Sequence, residues 1–204
     1  MVVTSLRSCY IAAYLLLAIA CTSGPGAPET GDYAADVTAF RAAKDQQFRT
    51  EKDPVPESRK TTLLPLRYFP PDESYRVPAQ LRLTEDRPVV QMPTSTGTLR
   101  RYRPVGVLEF TLQNQSLSLG AFVEDGQPIV DLFVPFVDTT SGEETYPAGR
   151  YLDVHPTATG FYAIDFNKAY NPYCAYNETY ECPYPPPSNR LKVAIRAGEK
   201  KPGA

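Results

Sequence analysis

The chain has 204 residues and a formal net charge of −2, and it contains 21 prolines, 12 glycines, one histidine and no tryptophan. This length is sufficient for one globular domain with a sizeable core. The weak negative charge argues against nucleic-acid binding, which depends on a basic face that releases counterions. A single histidine excludes a metal centre built from several histidines. Proline stands at about twice its usual ~5% share, which indicates many turns and short strands.

The first twenty residues have the pattern of an export signal. Arg7 supplies a positive charge, and residues 10–20 form an uncharged run. This run is too short to span the ~30 Å hydrocarbon core of a bilayer but suits the apolar region of a signal peptide. The order Ala18-Ile19-Ala20-Cys21 resembles bacterial lipoprotein signals. That resemblance implies cleavage before Cys21 and acylation of its thiol and of the new amino terminus.

Acylation at Cys21 would attach the mature chain to a bacterial membrane, on the periplasmic side or at the cell surface. Each buried CH₂ group of a lipid chain contributes about 0.8 kcal/mol, so several chains together anchor stably. The alternative is an ordinary secretory signal with an incidental cysteine. Residues 21–31 are small, polar and turn-prone, and they predict a flexible tether.

Residues 32–51 predict a helix. A narrow apolar stripe follows helical spacing and is formed by Val37, Phe40, Ala43 or Lys44, and Gln47 or Phe48. Asp32 can cap the start of this helix, and the Asp53-Pro54 pair ends it. A helix with so narrow a stripe is expected to lie on something larger.

Residues 52–199 predict a β-rich domain, and residues 200–204 form a tail. Prolines recur through residues 52–93, which favours an extended segment with short strand pieces. Alternating apolar residues then predict a hairpin with a turn at 114–116, and the apolar run 129–137 predicts a strand covered on both faces.

Two further strands are predicted at 151–155 and 161–167. Consecutive antiparallel strands form a meander or a small barrel, and we expect the N-terminal helix to pack on it. The fold class is therefore mainly β.

Polar side chains concentrate on these last two strands. Tyr151, Asp153 and His155 share one face of the first, and Asp165 and Asn167 share one face of the second. If the two strands are neighbours, these polar sets meet and can hold a polar ligand. The alternative is that they form the solvated side of the sheet.

A long and irregular pattern runs through the second half of the chain. It comprises Ala148-Gly149-Arg150-Tyr151-Leu152, residues 165–172, Cys174-Ala175-Tyr176, Cys182-Pro183, Pro186, Asn189 and Ala197-Gly198-Glu199. Tyr68-Phe69-Pro70 and residues 93–97 fit it as well. On these residues, the chain from about residue 44 to residue 199 resembles the domain of unknown function 1684 (DUF1684) family of bacteria and archaea. The resemblance implies a shared fold, but it brings no established activity and no catalytic residue.

Cys174 and Cys182 flank a short loop next to a proline-rich stretch. Since an exported protein meets oxidising conditions, we expect a disulfide here, which contributes about 2.5 kcal/mol in the chain-entropy model. Two other interpretations stay open. The spacing matches no zinc signature well, and a catalytic thiolate at Cys174 with His155 as its base lacks a local motif. We predict neither a metal nor a cofactor.

We predict a membrane-anchored module that binds a small ligand or a protein partner, with no role in nucleic-acid binding. The candidate ligand-binding residues are Arg150, Tyr151, Asp165, Asn167, Tyr170, Asn171 and Asn189. Arginine can pair with an anion, asparagine can bond amides or hydroxyls, and tyrosine can stack on a ring. The same residues can instead tie the loop to the sheet, because Asn and Asp commonly bond nearby backbone. The competing function is a hydrolase with Asp165 or His155 as general base.

Overall fold

Two helices precede the sheet in the computed structural model, which describes residues 31–51, 53–86, 88–157 and 161–203. They span Tyr33–Thr50 (α1) and Glu57–Leu63 (α2). The expected helix is thus present, and the Asp32 side chain caps it by accepting a hydrogen bond from the Ala35 amide at 3.1 Å. α2 was not predicted, because seven residues between prolines carry too little periodicity.

The export signal predicted over residues 1–20, the acylation site at Cys21 and the tether up to residue 30 lie outside the described residues. Within the described ranges, no helix combines the length and apolar character needed to cross a bilayer.

The described part of the chain contains seven antiparallel strands: Arg76–Leu83 (β1), Val90–Pro93 (β2), Leu99–Leu112 (β3), Gln115–Glu124 (β4), Leu132–Phe136 (β5), Arg150–Val154 (β6) and Tyr162–Asp165 (β7). Their order is β6-β5-β4-β3-β1-β7, and β2 pairs with β3. Bridges between Tyr151 and Tyr170 and between Pro156 and Tyr162 draw the two ends together into a nearly closed barrel. The mainly β fold with a small barrel and an N-terminal helix is therefore confirmed.

The position of β1 in the sheet differs from the expected strand order. β3 to β6 form a meander as predicted, but β1 lies between β3 and β7, with Leu81 opposite Leu108 and Val77 opposite Ile164. β6 and β7 therefore stand at opposite ends of the sheet order. β1 was expected only as a short extended piece, because Pro78 lies inside it.

Two strand boundaries also differ from the expectation. The β3–β4 turn is formed by Gln113 and Asn114, which both have positive φ, one residue earlier than predicted. β5 begins only at Leu132, and Ile129 and Val130 before it are exposed.

The barrel core contains the inward side chains of the strands and an additional segment from the end of the chain. That segment has no regular strand, yet it alternates, and it buries Leu191, Val193, Ile195 and Ala197 in the same cluster. α1 packs outside the barrel through Val37, Arg41 and Phe48. A second cluster beneath α1 joins Phe48 to Leu66 and Tyr176.

Gly149 marks the closest backbone approach before β6. Its φ is +92°, and a Cβ atom here would overlap the Phe136 carbonyl oxygen and lie 2.9 Å from a ring carbon of Pro185. Gly142 has a similar φ of +95°, but open space surrounds it. The two glycines therefore share a backbone conformation and differ in their surroundings.

We predict that Gly149→Ala destabilises the protein more than Gly142→Ala does. Left-handed backbone costs an alanine about 1–2 kcal/mol at either position. Overpacking should add about 1–3 kcal/mol at residue 149 alone. Urea unfolding of both variants measures this difference, and equal losses would show that the close approach at Gly149 carries no strain.

Candidate functional site

A cavity of about 630 Å³ lies outside the barrel, between α1, three strands and residues 170–183. This volume is within the ~300–1,000 Å³ range of small-molecule sites. α1 contributes Phe40, Ala43, Lys44, Gln47 and Phe48. Their spacing places them on one helix face, and it is the stripe that was expected to pack against the barrel. Much of that stripe faces open space instead.

The strands provide the opposite wall. Alternation along β6 points Arg150, Leu152 and Val154 inward and leaves Tyr151 and Asp153 on the outer face, where both line the cavity. β5, next to β6, adds Phe133, and β3 adds Arg100 and Tyr102.

The third wall is the chain between residues 170 and 183, which has little regular structure. It contributes Tyr170, Pro172, Tyr173, Tyr180, Glu181, Cys182 and Pro183. Tyr151 fastens both of its ends. The backbones of Tyr151 and Tyr170 exchange hydrogen bonds of 2.8 and 3.0 Å, and the Tyr151 hydroxyl donates to the Pro183 carbonyl at 2.5 Å.

Aromatic rings make up eight of the seventeen lining residues. One row runs Tyr102, Phe133, Tyr151 and Tyr170, with centroids 5.3, 4.8 and 5.8 Å apart. A second row runs Phe48, Tyr173 and Tyr180, with centroids 6.2 and 5.3 Å apart. Edge-to-face contacts hold most of these rings in place.

The two basic side chains of the cavity are already paired. Lys44 Nζ lies 2.6 Å from Glu199 Oε1, and it also stands 4.9 Å from the ring centroid of Tyr170 and 5.2 Å from that of Phe48. Arg100 forms an ion pair with Glu124.

The two acidic side chains that line the cavity are Asp153 and Glu181. Among the described residues, no ion pair includes Asp153 or Glu181, and both are exposed to solvent. Asp153 accepts a hydrogen bond from the Tyr170 hydroxyl at 2.9 Å. Desolvation by the surrounding walls raises the pKa of Asp153, although solvent still reaches part of the carboxylate. Burial, reinforced by Asp153, also raises the pKa of Tyr170.

Of the seven predicted ligand-binding residues, only Tyr151 and Tyr170 line the cavity. Arg150 is 1% exposed and donates to Asp138 Oδ2 at 2.9 Å and to the carbonyls of Ile195, Ala197 and Glu199. This guanidinium therefore holds the end of the chain against the barrel.

Asp165 and Asn167 fasten the start of α1. Asp165 Oδ1 accepts hydrogen bonds from the Tyr33 hydroxyl at 2.7 Å and from the Asn167 amide at 3.0 Å. The Asn167 side chain bonds the Tyr33 hydroxyl and both backbone groups of Asp72. Among the described residues, Asp165 and Asn167 make no hydrogen bond to Tyr151 or Asp153. β6 and β7 share no ladder and meet only through the isolated bridge between Pro156 and Tyr162.

The remaining two asparagines also bond backbone. Asn189 bridges β4 and β5, which pair only at Phe122 and Phe133: its amide bonds both backbone groups of Gly120 and the Pro135 carbonyl. The Asn171 side chain donates to the Lys200 carbonyl at 2.8 Å.

The predicted disulfide is wrong: Cys174 and Cys182 are buried free thiols that lie close together. The Cys174 amide donates to Cys182 Sγ at 3.1 Å, and the Cys182 amide donates to the Ser95 hydroxyl at 3.1 Å, so noncovalent contacts hold this loop. The hydrogen bond with the Cys182 thiol lowers the pKa of Cys174 to about 6. His155 pairs with Asp131 on the exposed surface.

Among the described residues, no group of three or more His, Cys, Asp or Glu side chains is placed to hold a metal ion.

The sequence did not predict most of the residues that line the cavity. Lys44 and Phe40 were assigned to a packing stripe, and Asp153 was noted but not chosen. The alternation that puts Asp153 beside Tyr151 was the available signal.

The fold and the cavity define a small β-barrel protein with a helix-covered pocket on its outer face. Residues 61–200 match the family described as a protein of unknown function, DUF1684, and the chain belongs to this family. The solution structure of an uncharacterized protein from gene locus rrnAC0354 of Haloarcula marismortui is similar, with 38% identity and a TM-score of 0.67. The similarity covers 84% of this chain and 95% of that one. No curated protein matches the chain.

We predict that Arg150→Met lowers the free energy of unfolding by about 3–5 kcal/mol, because it leaves the buried Asp138 carboxylate unpaired. Arg101→Met is the control, since Arg101 forms an exposed ion pair with Asp125 and should change stability by about 0.5 kcal/mol or less. Chemical denaturation measures both. If Arg150→Met is as stable as the wild type, the guanidinium does not hold the end of the chain.

Proposed function

We propose that this protein binds a small organic ligand in the cavity between α1 and the barrel, and that it does so as an exported lipoprotein attached through Cys21. The observation that carries the binding proposal is the cavity itself: about 630 Å³, open to solvent and lined largely by aromatic rings. Pockets of this size that combine apolar walls with a few polar groups are the usual form of a small-molecule site.

The exposure of large rings around the cavity supports binding over simple packing. Phe40 is 43% exposed and Tyr173 is 40% exposed, although buried clusters lie directly behind α1. Exposed rings gathered at one concave place commonly mark a binding surface. The walls are also well anchored, since Tyr151 fastens the 170–183 segment and Glu199 fastens Lys44.

Binding is favoured over hydrolysis by the positions of the two bases suggested earlier. Asp165 already accepts two hydrogen bonds at the start of α1, and His155 pairs with Asp131. Neither of them lines the cavity. Asp153 is the acid in the cavity with a raised pKa, and its hydrogen bond to Tyr170 suits it to orienting a ligand.

The anchoring part of the proposal rests on the sequence alone. An apolar run too short to span a bilayer leads directly to Cys21, followed by small polar residues.

We predict that Ala43→Trp strongly weakens ligand binding while Ala42→Trp preserves it. Both alanines are exposed on α1, but only Ala43 lines the cavity, so only the first indole would occupy ligand space. Saturation-transfer NMR against a mixed library of neutral, cationic and anionic fragments provides the measurement. Affinity should fall by about tenfold or more for Ala43→Trp.

A library without any binder would overturn the binding proposal. Binders that Ala43→Trp retains as well as Ala42→Trp would also overturn it, because binding would then occur elsewhere. Far-ultraviolet circular dichroism of both variants checks that α1 and the barrel remain folded.

We predict that the mature chain begins at an acylated Cys21 when it is produced in a bacterial host. Mass spectrometry of the N-terminal peptide from the membrane fraction would give a mass increased by the lipid chains, and Cys21→Ser would release the protein from that fraction. An unmodified amino terminus at Thr22 or later would contradict the anchoring proposal and leave the binding proposal untouched.

A further inference from the structure

We propose that the cavity selects an organic cation, a molecule carrying an ammonium or quaternary ammonium group on an apolar body. This inference rests on the proposed function, since it names the class of ligand for the same cavity. It follows from the combination of unpaired carboxylates, neutralised basic groups and aromatic walls around one space.

The charges of the cavity leave a negative excess. Lys44 is neutralised by Glu199 at 2.6 Å, and Arg100 is neutralised by Glu124. Asp153 and Glu181 line the same space without an ion pair among the described residues. Lys44 and Arg100 also interact electrostatically with Asp153 and Glu181, respectively, but these two basic groups serve four carboxylates, which leaves an excess of two negative charges. A cationic ligand would reduce this excess, whereas an anionic ligand would add to it.

The aromatic walls suit the same charge. Cations are attracted to the faces of aromatic rings when they lie within about 6 Å of the centroid. The cavity already demonstrates this with the protein's own ammonium group, because Lys44 Nζ is within 5.2 Å of the centroids of both Phe48 and Tyr170. The row formed by Tyr102, Phe133 and Tyr151 extends such a wall toward Asp153.

A purely apolar ligand fits the cavity less well. Burying it against Asp153 would remove water from a carboxylate that already carries a desolvation cost, and no new partner would replace that water. A cation brings the missing partner. The hydrogen bond from Tyr170 uses Asp153 Oδ2, and Oδ1 can accept from a ligand.

The test compares three probes of similar size by isothermal titration calorimetry: benzyltrimethylammonium, the neutral N-benzylacetamide and the anionic phenylacetate. We expect benzyltrimethylammonium to bind and both other probes to bind at least about tenfold more weakly. Ala43→Trp should abolish the cation signal, and Ala42→Trp should retain it.

Charge-neutral variants then test the two carboxylates. Asp153→Asn keeps an oxygen that can accept the Tyr170 hydrogen bond, and Glu181→Gln changes an exposed side chain. Each should weaken benzyltrimethylammonium binding about fivefold. Glu178→Gln is the matched control, because Glu178 is an exposed acid of the same segment that does not line the cavity, and it should leave the affinity unchanged.

Three outcomes would overturn the inference. If N-benzylacetamide binds as tightly as the cation, the cavity does not select for positive charge, although the proposal that it binds a ligand still holds. Phenylacetate binding best would assign the cavity to anions. The third outcome is that benzyltrimethylammonium fails to bind at millimolar concentration while other fragments bind the wild type and are weakened by Ala43→Trp. The cavity would then bind a different class of ligand.

Discussion

The buried ion pair between Arg150 and Asp138 lies where the last segment of the chain packs on the barrel wall, and both partners bond that segment. Arg150 also donates to the carbonyls of Ile195, Ala197 and Glu199, and Asp138 Oδ1 accepts a hydrogen bond from the Ile195 amide at 3.2 Å. A buried pair of charges is tolerated when further hydrogen bonds satisfy both partners, and here the chain itself supplies them. An irregular segment thereby becomes part of the barrel core and ends with Glu199 at a defined place.

Glu199 then determines how the outside of the barrel is arranged. Its carboxylate is 1% exposed and contacts three donors from separate parts of the chain, namely Lys44 of α1, the Asn171 amide and the Tyr176 hydroxyl. An uncompensated carboxylate at this depth would be costly, so α1 must lie where Lys44 reaches it. The helix is thus located by a charge as much as by its apolar residues, and the ring-lined space remains between α1 and β6.

Periodicity predicted the helix, the β3–β6 meander and the mainly β fold, because buried faces leave a repeating trace in the sequence. Periodicity did not predict β1 as a full strand, because Pro78 lies inside it although β1 pairs with strands on both sides. Of the predicted ligand-binding residues, Tyr151 and Tyr170 line the cavity. Arg150 and Asn189 were predicted to bind a ligand, but their side chains form hydrogen bonds with backbone groups instead. A sequence shows that a side chain is polar, but the partner it meets is decided by strands far apart along the chain.

Lys44 has a double position, because its ammonium group contacts the rings of the cavity on one side and the buried Glu199 carboxylate on the other. Any molecule in the cavity that shifts this ammonium group also changes how firmly Glu199 is neutralised. By thermodynamic reciprocity, a change at the end of the chain that displaced this ammonium group would in turn alter the affinity of the cavity for such a molecule. Lys44 therefore links the cavity directly to the C-terminal segment.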